Sequence, residues 1–164
     1  MPGLVVQIVG EEAVRNVLAK LPAKIAQAVT DELNATGLDI TAEAKRRCPQ
    51  GVGAGAGLQG SIRPRLTVSD SGTGVAVDVF TDKVYAAAIE FGLPPGMAFP
   101  PPGSLTDWLK SKGIPEGAEF AVARAIYERG TKPQPFLFPA FEQEAPKFQA
   151  HLAAAVKRAA ESGE

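Results

Sequence analysis

Residues 23–47 read AKIAQAVTDELNATGLDITAEAKRR, and this stretch decides the fold. Ile25, Ala28, Val29, Leu33, Leu38, Ile40 and Ala44 recur at nearly helical spacing, which predicts one long amphipathic helix. Lys45, Arg46 and Arg47 close it with cations suited to the negative end of a helix dipole, and Pro49 forbids continuation. Gly37 lies inside it at a cost of about 1 kcal/mol relative to alanine, so it predicts a bend or a close approach, not a break. The second deciding stretch is GVAVDVFT at residues 74–81, where Val75, Val77 and Val79 alternate with smaller or polar residues. That is the period of a half-buried strand. Residues 58–68, containing SIRPRLTV, are also strand-like, and DSGTG at residues 70–74 is a turn cluster, so a β-hairpin is expected.

Working outward, LVVQIV at residues 4–9 is a β-branched run between Gly3 and Gly10 and predicts a strand. Ala13, Val14, Val17, Leu18 and Leu21 then form one helical stripe, with Glu11 and Glu12 in its first turn and Pro22 fit to start the next helix. QGVGAGAG at residues 50–57 reads as a flexible loop. VYAAAIEF at residues 84–91 is ambiguous, because its alanines favour helix and its flanks favour strand. Residues 93–103 are rich in proline and glycine and read as loop. Ser104 is placed to cap a short helix, SLTDWLKSKG, ending at Gly113. A second helix follows over residues 118–129, ending at Gly130, and residues 131–135 form an extended turn. The last helix starts near Pro139 and runs to about Glu161, with a kink expected at Pro146. This order is α+β: a small, mostly antiparallel β-sheet packed against long α-helices. It is read as one domain over residues 1–164, with a Pro/Gly-rich loop and helical insert at about 93–130.

Composition bounds the function. A chain of 164 residues can bury roughly 70% of its unfolded surface, enough to fold without metal or disulfide staples. Seventeen basic and eighteen acidic residues leave a charge of −1, so no global basic field recruits nucleic acid. One cysteine excludes an intramolecular disulfide and a multi-cysteine zinc site, and one histidine excludes a two-histidine metal site. No segment has the roughly 18 unbroken apolar residues of a membrane span. The N-terminal apolar run has no basic leader and does not read as a signal peptide, so synthesis and folding in a cytoplasm are expected.

The candidate chemistry is sparse. The glycine-rich loop lacks the Lys-Ser/Thr of a phosphate-binding loop, since Leu58 and Gln59 follow its last glycine. Glu90, between Ile89 and Phe91, is either a buried general base or a carboxylate that pairs with a cation, caps a helix or lies at a strand edge. Cys48 follows two arginines that would lower a thiol pKa, but as a nucleophile it needs a base such as His151. Lys45, Arg46, Arg47, Arg63 and Arg65 are the main basic concentration and flank the glycine loop. They are either a solvated basic face or phosphate contacts in a pore-lining ring, and without interleaved aromatics they are not a single-strand stacking surface.

Four segments in order carry a resemblance: AKRRCP closing the long helix, then LQGSI, then VYAAAIEFG, then GTKPQPFLFPAFE opening the last helix. The order resembles the head–tail joining or tail-component family of long-tailed bacteriophages (the gene-product-ten-like family of the lambdoid siphophages). Gly57, Leu58 and Ser61 match that family's Thr-Gly-x-Leu-x-x-Ser segment, with Ala56 where threonine is usual. Tyr85, Ala86, Glu90, Phe91 and Gly92 match its Tyr-Ala-x-x-x-Glu-Phe-Gly segment, with leucine after Gly92 where threonine is common. Pro133, Pro135, Phe136, Leu137, Pro139 and Ala140 match its proline- and phenylalanine-containing segment. The match spans about residues 22–145, and the long glycine loop is a further departure.

Physics assigns these residues scaffold roles. Phe136, Phe138 and Phe141 are expected to anchor a rigid turn on the sheet, with Tyr85 and Phe91 filling the same core. The resemblance implies a structural virion protein of the neck or tail end and not an enzyme. It implies a subunit of a homo-oligomeric ring around the DNA channel, monomeric until it meets its ring-shaped partner. The implied partners are the head connector, tail terminator or tail tube, with non-specific DNA contact through Arg46, Arg47, Arg63 and Arg65, no membrane and no cofactor. The neighbouring alternative is a tail terminator capping the tail tube. The remote one is a small hydrolase or transferase using Glu90, Cys48 or His151.

Overall fold

The computed structural model describes residues 5–9, 23–50, 57–68 and 75–161. The helix expected over residues 11–21, the glycine loop at 51–56 and the turn at 70–74 lie outside the described residues.

The long helix α1 spans Ala23–Arg47, as its periodicity requires. Its inward face carries Val29, Leu33, Thr36, Gly37, Ile40, Thr41 and Ala44. Two buried threonines on that face are satisfied locally, Thr36 donating to the Glu32 carbonyl at 2.9 Å and Thr41 to the Gly37 carbonyl at 2.7 Å. Among the described residues the sheet has three strands, β1 (Val5–Val9), β2 (Arg63–Val68) and β3 (Val75–Phe80), in the order β1-β3-β2. Both pairings are antiparallel, with Val77 opposite Ile8 and Leu66 and with Asp78 opposite Gln7 and Arg65. Side chains alternate across a strand, so β3 sends Val77 and Val79 into the core and Asp78 and Phe80 to the other face. Gly37 is where α1 meets the sheet. A Cβ there would stand 2.5 Å from Val77 Cγ2, so the glycine permits close packing.

The expected strand over residues 58–68 is corrected at its start. Gly57–Ser61 is a single helical turn, α2, and the strand begins at Arg63. Leu58 is driven into the core, and Ser61 Oγ lies 2.8 Å from the Leu58 carbonyl and 2.6 Å from Thr81 Oγ1, contacts that favour a turn. The ambiguous 84–91 stretch resolves as helix α3, Ala86–Phe91. A 3-10 turn, Pro102–Leu105, leads into α4, Thr106–Ser111, and α5 follows over Glu119–Arg129. Ser104 is not the expected cap. It lies inside the 3-10 turn and donates to the Pro101 carbonyl at 2.7 Å. The last helix, α6, spans Leu137–Glu161 and contains Pro146.

Helices α1 and α6 pack side by side in opposite directions. Val29 and Leu33, early in α1, meet Phe148, Leu152 and Val156, late in α6, together with Val75 and Val77. Ile40 and Ala44, late in α1, meet Leu137 and Ala140, early in α6. The main core joins these to Cys48, Leu58, Ile62, Val79, Ala86 and Phe136. The architecture is therefore α+β, a small antiparallel sheet against two long helices. Among the described residues no helix is long and apolar enough to cross a membrane.

Candidate functional site

The three motif segments meet at the start of α6. That helix opens with Phe136 as its flanking residue, then Leu137, Phe138 and Pro139. The first four N–H groups of a helix have no partner inside it. Here proline supplies no N–H at the fourth position, so three donors remain. The Glu90 carboxylate takes all three. Oε2 accepts from the Phe136 and Leu137 N–H groups at 2.8 and 3.0 Å, and Oε1 accepts from Phe138 N–H at 2.9 Å. Its charge sits at the positive end of the α6 dipole. Glu90 is only 2% exposed, yet both oxygens are satisfied by backbone alone. Of the alternatives left open by the sequence, the cap is the one the structure takes.

Backbone pairing holds the two segments in register around this cap. Gln134 N–H donates to the Ile89 carbonyl at 2.8 Å. Leu93 and Thr131 exchange both backbone bonds, at 3.1 and 2.9 Å, and Leu93 N–H also meets Thr131 Oγ1 at 3.0 Å. Gly92 leaves α3 at φ +73°, where a Cβ would lie 2.5 Å from the Thr131 carbonyl oxygen and 2.9 Å from Pro133 N. Both the left-handed backbone and the contact call for glycine. Ala86 lies one helical turn before Glu90, on the same face, and is fully buried. Leu58 from the first segment packs in the same core as Phe136, Leu137 and Ala140, with Tyr85 partly buried against it. Pro133 and Pro135 remain at the surface and stiffen the chain entering α6.

Two expected core residues are not in the core. Phe91 is 57% exposed and Phe138 is 43% exposed, and their rings contact each other at 5.7 Å between centroids. Ala86–Phe91 form a helix and not a strand, so Phe91 follows the buried Glu90 onto the outer face. Phe136 is fully buried and Phe141 packs against the core, as expected.

The four arginines expected to face DNA, Arg46, Arg47, Arg63 and Arg65, all have acidic partners. Arg46 and Arg47 both contact Glu43, Arg47 at 2.6 Å, and Arg47 also donates to Gln143 Oε1 at 2.7 Å. Arg65 meets the buried Asp78 at 2.9 Å and Arg63 meets Asp82 at 3.4 Å. Both β2 guanidiniums lie over the Phe80 ring, 5.0 and 4.8 Å from its centroid. Glu43 precedes Arg46 and Arg47 by three and four residues, a helical pairing visible in the sequence. Asp78 and Phe80 come to Arg65 and Arg63 only through the β2–β3 register.

The residues weighed for catalysis are not assembled. Cys48 is buried, and burial, with the Glu90 charge as a lesser cause, raises its thiol pKa to about 11. The expected lowering by Arg46 and Arg47 is thereby corrected. His151 Nδ1 lies 3.3 Å from Glu32 Oε1. At 1.5 Å per residue, Glu32 stands about 24 Å before Cys48 along α1 and its continuation, and His151 about 21 Å beyond Leu137 along α6. Among the described residues no group of three or more His, Cys, Asp or Glu is placed to hold a metal ion. Sequence reasoning missed Thr81 and Thr131 as partners of Ser61 and Leu93, because both contacts are long-range. Compared with protein-family models, with curated proteins and with solved structures, the chain matches none.

Proposed function

We propose that this chain is a structural protein of a phage virion, acting at the neck or tail end to join head to tail or complete the tail. It would be made in the host cytoplasm and work as one subunit of a ring around the DNA channel, with connector, terminator or tail-tube proteins as neighbours. The observation that supports this reading is the Glu90 interlock. The motif segments that carry the resemblance meet in one place, and their polar groups are spent on one another: Glu90 on three α6 amides and Ser61 on Thr81. That is how a scaffold uses such residues, whereas a general base keeps a lone pair for its substrate. Arg46, Arg47, Arg63 and Arg65 then serve first as intramolecular ion pairs. Any contribution to DNA in a channel would come from their outward edges.

Deleting the gene from its phage and counting heads, tails and joined particles by electron microscopy tests the proposal. Full heads and finished tails left apart support the joining role. Abnormally long tails transfer the assignment to a tail terminator. Normal infectious particles refute both, and return attention to Glu90, Cys48 and His151.

A further inference from the structure

The segment between Gly92 and Thr131 leaves the body and returns to it at one point. Its two ends are joined by the Leu93–Thr131 pair, which exchanges both backbone hydrogen bonds. Gly130 closes the second end at φ +71°, where a Cβ would stand 2.0 Å from the Leu93 carbonyl oxygen. Beyond this neck the segment packs on itself. Helices α4 and α5 pack on the 3-10 turn. Leu109 and Ala123 are buried but belong to neither of the two core clusters of the body. The loop after Leu93 is zipped along α5 by Gly96 N–H donating to the Tyr127 carbonyl at 2.7 Å. It is held further by Phe99, whose ring lies 5.7 Å from Phe120 and 6.1 Å from Tyr127. The Glu90 cap and the Gln134–Ile89 bond lie on the body side of the neck, so they do not depend on what lies beyond it.

We propose that residues 94–130 form a separable arm, a cooperative unit that opens and closes about the Leu93–Thr131 neck while the body stays folded. A unit with its own small core and few contacts to its surroundings opens at lower free energy than the global structure. The arm is thus a built-in conformational device. Its opening releases Phe99, Phe120 and Tyr127 from one another and leaves α1, α6 and the sheet intact. This inference does not depend on the proposed virion role.

Native-state hydrogen exchange on the full chain tests it. The α5 amide of Val122 and the capping amide of Gly130, bonded to the Ala118 and Ile126 carbonyls, are expected to exchange through an opening that spares the amides around Ile40, Ala44 and Val77. Phe99→Ala is expected to lower arm protection by about tenfold and leave body protection unchanged. A second variant replaces residues 94–130 by Asn-Gly. A pair that exchanges both hydrogen bonds is the geometry a two-residue hairpin turn closes. That shortened chain is expected to keep a cooperative thermal transition and the body's amide spectrum. Arm and body exchanging together, both weakened by Phe99→Ala, would overturn the proposal, and so would a shortened chain that is unfolded.

Discussion

Glu90→Ala removes the acceptor of three backbone N–H groups at once. Phe136 and Leu137 are fully buried, whereas Phe138 is largely exposed and its hydrogen bond to Glu90 is only partly buried. A buried unsatisfied donor costs about 1–3 kcal/mol, so the first two cost about 2–6 kcal/mol together and the third adds little. The lost charge at the α6 N-terminus adds about 1 kcal/mol. The expected total is about 3–7 kcal/mol, a large part of the ~5–15 kcal/mol that holds an ordinary domain. Glu90→Gln separates the charge from the volume. Its single oxygen can serve Phe136 and Leu137, but its NH2 then faces the Phe138 N–H, donor against donor. A loss of about 1.5–3 kcal/mol is expected. Urea unfolding followed by far-UV circular dichroism reads both values, provided that the slopes stay those of the parent. A Glu90→Gln chain within about 0.5 kcal/mol of the parent, or a Glu90→Ala chain no less stable than Glu90→Gln, would show that the cap does not carry this energy.

Three further outcomes follow from the geometry. Gly37→Ala gains about 1 kcal/mol of helix propensity but drives a Cβ to 2.5 Å from Val77 Cγ2, an overpacking cost of about 1–3 kcal/mol, so a net loss of up to about 2 kcal/mol is expected in thermal or urea unfolding. The buried Cys48 thiol, raised from 9.0 to about 11, should resist iodoacetamide at pH 8 in the native chain and react on unfolding. Because the native pKa is the higher one, its contribution is complete below pH 9 and is lost as pH rises toward 11. Cys48→Ala should therefore flatten part of the alkaline fall in Tm, and Tyr85, which burial also shifts upward, contributes in the same direction. Glu144 moves the other way, its carboxyl held below the ordinary 4.5 chiefly by the Lys147 ammonium at 2.6 Å. Its contribution is present above pH 4.5 and is lost as pH falls through the native value, so Glu144→Gln should reduce the acid sensitivity of unfolding, measured as Tm against pH.

The elements set by local pattern were legible in the sequence. Helix α1 has the bounds its periodicity predicts, and β3 and the hairpin follow from the alternation of Val75, Val77 and Val79. Gly37 was legible as a bend or a close approach, and the structure takes the close approach; Glu90 was legible as either a buried general base or a carboxylate that pairs with a cation, caps a helix or lies at a strand edge, and the structure takes the buried cap. Local pattern suffices in these places because a backbone period of 3.6 or 2 decides which side chains share a face. Tertiary structure decided the rest. VYAAAIEF became helix because Ala86 and Glu90 must face one core one turn apart, which sends Phe91 outward. The partner of Glu90 lies 46 to 48 residues away, and no spacing rule links a carboxylate to amides across such an excursion. Asp78 and Arg65 likewise meet only once the strand register is chosen. Periodicity reports which face a residue occupies. Which distant polar groups face one another is settled by the requirement that every buried donor find an acceptor, and that requirement acts only after the chain has closed on itself.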